Sequence, residues 1–216
     1  HEIMGIIDHK GWHRFKNVEP VFPKEQIQEL IKKGKINGIL GDKHSSGEKI
    51  IAEYGETHLK TDFPILYTSA DSVLQIAAHQ EIFGLGRLYE LCQLALEIFS
   101  FLRVQRVIAR PFLGNNRDDF YRTKARKDFI LPPISETVCD RIISSGQKCL
   151  GIGKISDIFA NRGISSSFSG KSDALLFEDM IDVIKESAQG DLIFANFVEF
   201  DTLYGHTRDV SGYAKA

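Results

Sequence analysis

Apolar residues recur along this chain at helical and at strand-like intervals, and the two rhythms alternate. In residues 23–33, Ile27, Leu30 and Ile31 share one helical face with Lys and Glu between them, and Gly34 supplies the break. Residues 36–40 predict a short strand or turn, and Ser45 or Ser46 stands where it would cap a short helix over residues 48–54. Residues 63–68 read as a buried strand, 85–101 as a long amphipathic helix, and 106–110 as a strand stopped by Pro111. Residues 114–128 are crowded with charge and poor in aliphatics, which predicts a loop. Pro132-Pro133 then marks a boundary. Beyond it the pattern predicts a helix over 137–145, a strand over 148–153, a helix over 173–187 and a strand over 191–197. Strand–helix–strand alternation implies an α/β fold with a parallel layer, divided into one unit at 11–133 and part of another at 134–216.

Composition narrows the class. Of 216 residues, 43% are hydrophobic and 26% charged, as in an ordinary globular protein. The net charge of −2 and a pI near 6.4 argue against nucleic acid or an anionic membrane as partner, since both select basic surfaces. No apolar run approaches the about 20 residues that cross a bilayer. Cys92, Cys139 and Cys149 are odd in number and lack metal-ligand spacing, which points to reduced thiols and a cytoplasmic chain. Cys92 falls on the apolar pattern of 85–101 and reads as core packing. The chain opens on His1-Glu2-Ile3 without an initiator Met or secretory signal, and stops within a helix-like pattern after Ser211. We therefore expect a piece of a longer protein.

Candidate chemistry gathers at strand ends. The apolar residues 192–197 run directly into Asp201 and His206, a carboxylate and an imidazole five residues apart with Gly205 between them. Both can reach one divalent ion. The alternative is a helix-capping Asp and a surface His. Ser69 and Asp71 follow the strand at 63–68 and can hydrogen-bond sugar hydroxyls, or Asp71 caps a short helix over 73–78. Arg110 and Arg126 can form a fork for a phosphate dianion, or belong to a solvated loop. Lys154 and Asp157 either approach a site or pair with each other at the surface, and His79 reads as structural.

Five ordered segments carry a family resemblance. Residues 196–209, Asn-Phe-Val-Glu-Phe-Asp-Thr-Leu-Tyr-Gly-His-Thr-Arg-Asp, resemble a phosphopentomutase motif, with Glu199 where that family has Asp and Thr207 where it often has Arg. The stretch from Tyr67 to His79, the segment Val107-Ile108-Ala109-Arg110-Pro111-Phe112 with Arg122 to Arg126, Gly153 to Phe159, and His1 to Gly5 resemble further motifs in order. Ala125 stands where the family has Asn. The resemblance implies an alkaline-phosphatase-like metalloenzyme with an inserted α/β cap domain. By position, residues 1–10 and 134–216 would be pieces of its catalytic core, built on a mainly parallel sheet, and 11–133 the cap. Asp201 and His206 would be ligands in a two-manganese site. Ser69, Asp71, Val73, Arg110 and Arg126 would form the ribose-phosphate pocket. The nucleophilic Thr would lie just upstream of His1, so the chain alone is expected to be inactive. The implied reaction interconverts (deoxy)ribose 1-phosphate and (deoxy)ribose 5-phosphate through a phosphothreonine, primed by an activating sugar bisphosphate. Two rivals are a cofactor-independent phosphoglycerate mutase, which would lack the run from Thr68 to Val73, and a non-catalytic sugar-phosphate-binding module.

Overall fold

A computed structural model describes residues 1–7, 9, 11–69 and 73–216. The chain divides into two compact units, one of His9–Leu131 and one joining His1–Asp8 to Pro132–Ala216. Both have the α/β character expected from the alternating pattern.

In the first unit, α1 (Lys24–Lys33) leads to β1 (Leu40–His44), α2 (Gly47–Thr61), β2 (Ile65–Thr68) and β3 (Leu74–His79). Then come α3 (Leu85–Ser100), β4 (Arg106–Leu113), β5 (Tyr121–Arg122) and β6 (Lys127–Ile130). The sheet runs β1-β2-β3-β4, and β5 and β6 both pair with β4. β1/β2 and β3/β4 are parallel, while β2/β3, β4/β5 and β4/β6 are antiparallel. One face packs on a core with Leu30, Leu66, Leu74, Ile76, Leu88 and Phe99. The other face gathers Ile65, Tyr67, Ala77 and Phe112 against Ile50 and Ile51 of α2.

Several boundaries differ from the sequence expectation. The short helix considered at 73–78 is instead β3, with all six residues buried. A segment covered on both faces shows no alternation, so periodicity could not separate it from a buried helix turn. Pro111 does not stop β4. It falls between Ala109, which pairs with β6, and Phe112, which pairs with β5, so its missing N–H interrupts neither ladder. The first strand begins at Leu40 rather than at residue 36. The helix capped by Ser46 runs to Thr61, with the Ser46 hydroxyl accepting from Lys49 N–H at 3.3 Å. The expected loop at 114–128 contains β5 and the start of β6.

Two buried histidines tie α2 to the sheet. The His58 ring lies 2.7 Å by Nδ1 from the Phe63 carbonyl, and its Nε2 accepts from His79 N–H at 2.8 Å. His79 reaches the Gly114 carbonyl and accepts from Ile82 N–H, which gives it the structural place expected from the sequence. Burial holds the His58 pKa below its ordinary value of 6.5. An unfolded chain therefore takes up a proton near that value that the folded one resists. Stability from this site is complete above pH ~6.5 and is lost as the pH falls through the depressed folded value. The melting temperature should fall between pH ~7.5 and ~5.5, and His58→Gln should flatten that slope. A slope unchanged by the substitution would place the titration elsewhere.

In the second unit, α4 (Val138–Ser144) precedes β7 (Cys149–Ile152), α5 (Ile155–Ile158), β8 (Ser166–Phe168), α6 (Asp173–Glu186), β9 (Leu192–Ala195) and α7 (Val210–Lys215). The strands form a wholly parallel sheet ordered β8-β7-β9. Thr137 and Asp140 close a capping box at the start of α4. At the end of β7, Gly153 has φ +76, and a Cβ there would collide with the Asn196 carbonyl, so both conformation and space require glycine. The three cysteines are buried and free, and burial pushes the Cys149 thiol up to about 12, so it stays protonated. Among the described residues, no helix is long and apolar enough to cross a membrane.

Candidate functional site

Within the first unit, a cleft of about 620 Å³ lies between the first turns of α2 and the β4–β6 region. Its walls include Glu48, Ala52, Arg110, Arg117, Arg122 and Arg126. Four guanidinium groups against a single carboxylate give its walls a chemistry that suits a compact anion. Arg110 and Arg126, proposed from sequence as a fork, do line one cleft.

The two arginines are held differently. Arg126 is gripped by the Asp128 carboxylate through Nε at 2.7 Å and Nη2 at 2.9 Å. Burial pushes the Asp128 carboxyl up, but Arg126 and Arg106 outweigh it and hold the group below the usual range. Arg110 instead donates its Nε to the neutral Oε1 of Gln75 at 2.8 Å. Its pKa is lowered first by burial and then by the neighbouring charge of Arg126, yet a guanidinium starts so high that it remains charged. Arg122 pairs with Glu48 at 2.8 Å, but the Glu48 side chain is 81% exposed, so the pair is weak and readily opened.

Tyr67 lies under this cluster, 1% exposed. Its hydroxyl has no well-aligned hydrogen-bond partner among the described residues. Burial raises its pKa, while the charges of Arg110 and Arg122 act in the opposite direction. Gly47 opens α2 beside it. A Cβ on Gly47 would stand 2.9 Å from the Tyr67 hydroxyl and 3.5 Å from Arg122 Nη1, so only glycine lets the helix start so close.

Ser69 follows β2 and Val73 precedes β3, and Asp71 lies outside the described residues. The Thr68 hydroxyl donates to the Val73 carbonyl at 2.9 Å and reaches the Ser69 carbonyl at 3.4 Å. Neither Ser69 nor Val73 is among the described walls of the cleft. Ser69 is nevertheless joined to it, because its Oγ accepts from Gln75 Nε2 at 3.0 Å.

The second unit carries the proposed metal donors. Residues Phe200–Gly205 form a π-helical turn in which His206 N–H reaches the Asp201 carbonyl at 2.8 Å. That spacing sets Asp201 and His206 on one face, with Oδ2 and Nε2 3.3 Å apart. Both side chains are 72% exposed. One oxygen and one nitrogen donor suit a divalent ion but fill only part of its shell. Among the described residues, no group of three or more His, Cys, Asp or Glu could hold a metal. Glu199 is occupied elsewhere: it accepts from Asp173 N–H at 2.8 Å, and Glu199 N–H donates to the Asp173 carboxylate at 2.9 Å. It therefore anchors the start of α6. Lys154 and Asp157 are both exposed, and the ion pairs of the described residues do not include one between them.

Sequence reasoning missed Gln75, Tyr67, Arg122 and Asp128. Gln75 and Tyr67 face each other across β2 and β3, a pairing legible only once 74–79 is read as a strand.

The fold and cleft together define an α/β protein with an arginine-walled cleft. No family model matches the chain. It is 46% identical over 215 residues to the phosphopentomutase of Chelativorans sp. (strain BNC1), across 100% of this chain and 53% of that protein. It is 48% identical over 216 residues to that of Helicobacter pylori (strain Shi470), across 100% of this chain and 52% of the relative. The Idiomarina loihiensis protein matches at 44% over 214 residues. The chain is thus similar over its whole length to phosphopentomutases, and it spans about half the length of the curated relatives it matches.

Proposed function

We propose that this chain carries the substrate grip and part of the metal site of a phosphopentomutase, which exchanges phosphate between the C1 and C5 oxygens of ribose or deoxyribose. The unit at 9–131 is the cap and the second unit a piece of an alkaline-phosphatase-like core. The observation that carries the reading is the cleft that holds Arg110 and Arg126 together, in a chain similar to these enzymes. Arg110 and Arg126 bind the phosphate that is not being transferred, while Ser69, Asp71 and Val73 meet the sugar. Holding both ends fixes the reacting oxygen and raises the effective concentration of the reactants. Asp201 and His206 would hold a divalent ion, manganese in this reading. When bound, such an ion neutralises charge on the transferring phosphate. An activating sugar bisphosphate and a cytoplasmic setting complete the proposal.

Two titrations of the 216-residue chain test it. Ribose 5-phosphate should bind, whereas ribose should bind at least ~10-fold more weakly, since charge-assisted contacts to phosphate dominate. Mn2+ should bind weakly, and Asp201→Ala should abolish that binding without altering the sugar-phosphate affinity. Equal affinity for ribose and ribose 5-phosphate would remove the cleft from the reading.

A further inference from the structure

Gln75 is the second residue of β3 and is 3% exposed, a burial that a primary amide tolerates only when its polar atoms are matched. Both ends of this amide are used. Oε1 accepts from Arg110 Nε at 2.8 Å, and Nε2 donates to Ser69 Oγ at 3.0 Å. A reversed amide would set an N–H against a guanidinium N–H, so Arg110 fixes its orientation.

Two consequences follow from that orientation. Holding Arg110 through Nε leaves Nη1 and Nη2, a pair able to receive a phosphate in a two-pronged contact, uncommitted to Gln75. Because the acceptor is neutral, it aims the guanidinium without cancelling its charge, whereas Asp128 both aims and neutralises Arg126. At the other end, Ser69 Oγ spends a lone pair on Gln75, which leaves its own O–H to donate. That O–H can meet an acceptor on the ligand.

We infer that Gln75 is a positioning residue that couples the phosphate-binding Arg110 to the sugar-facing Ser69, so that the two ends of one sugar phosphate are gripped as a unit. The inference rests on the cleft being the sugar-phosphate pocket. It adds a specific division of labour: Arg110 is the uncompensated anchor, Ser69 is a donor, and a neutral amide sets both.

The test is a chemical-shift titration of the 216-residue chain with ribose 5-phosphate, which reaches millimolar affinities. Gln75→Met keeps the length of the side chain and removes both hydrogen bonds. It should weaken binding by about 10-fold, the usual effect of one lost hydrogen bond to a charged group. In an Arg110→Ala background the same change should weaken binding by less than about 3-fold, because Gln75 acts largely through Arg110. Gln75→Glu should hold Arg110 in place yet weaken binding by about 10-fold or more, because the carboxylate cancels the charge meant for phosphate. It also covers the case in which the Met variant fails to fold. A merely structural amide predicts full additivity with Arg110→Ala and a Glu variant that binds like the parent; either result overturns the inference. If the parent chain binds ribose as well as ribose 5-phosphate, the pocket assignment fails and carries this inference with it. If the parent discriminates but Gln75→Met binds within 2-fold of it, only the role of Gln75 is lost.

Discussion

Arg110→Ala is expected to weaken ribose 5-phosphate binding by about 100-fold and to lower stability by about 1–3 kcal/mol, because it leaves the buried Gln75 Oε1 without its donor. A charge-assisted hydrogen bond contributes about 1.5–3 kcal/mol, and a two-pronged guanidinium–phosphate contact provides two of them. Non-additivity brings the sum to about 2.7 kcal/mol, or two decades in affinity. Arg126→Ala should cost less, about 10-fold, because Asp128 already compensates that guanidinium and occupies its Nε and Nη2. The order of the two effects is more diagnostic than either magnitude. Arg110→Lys should recover little, since an ammonium restores the charge but not the fork, and its amine cannot satisfy Gln75 and a phosphate in the same geometry. Titration calorimetry would measure all three. A loss for Arg126→Ala equal to or larger than that for Arg110→Ala would mean that the ligand displaces Asp128 and uses Arg126 as its main anchor.

That order could not be read from the sequence, although the two arginines could. Residue type left Arg110 and Arg126 open between a phosphate fork and a solvated loop, and the family resemblance favoured the fork; their unequal partners emerge only from the sheet. Asp128 reaches its place by pairing with Ile108 across β4 and β6. Gln75 reaches Arg110 because β3 and β4 run parallel with Ala77 opposite Arg110. Both relations are non-local, and both depended on segments whose local pattern pointed elsewhere: the charged run read as loop, and residues 73–78 admitted a helix. The Asp201–His206 spacing shows the opposite case. Five residues is the step of a π-helical turn, so a local pattern was enough to bring the two side chains together. Glu199 stands where the family has Asp, and its carboxylate is engaged with Asp173 at the head of α6, a contact no local motif announces.

Phe112→Ala should be the most damaging single substitution for the fold of the first unit, at about 3–5 kcal/mol. Phe112 is fully buried on the α2 face of the sheet. Its ring contacts His58 at 5.5 Å, His79 at 5.6 Å and Phe120 at 5.3 Å between centroids. Truncation would open a cavity between α2 and the sheet and strip the packing from two histidines whose hydrogen bonds join those layers. A domain of this size has a total stability of about 5–15 kcal/mol, so the loss approaches the margin for folding. Phe177 offers the contrast within the same chain: it is 52% exposed on α6, and Phe177→Ala should cost only about 1 kcal/mol. Denaturant titration followed by hydrogen exchange in β2, β3 and β4 would measure both. The consequence extends to binding, because Phe112 also pairs with Arg122 and follows Arg110 on the same strand face. Ligand affinity should therefore fall by more than the unfolded fraction alone accounts for, and saturating ribose 5-phosphate should recover part of the lost stability by mass action. A Phe112→Ala protein that melts within about 1 kcal/mol of the parent would show that α2 re-packs onto the sheet, and that the cleft rests on β4 alone.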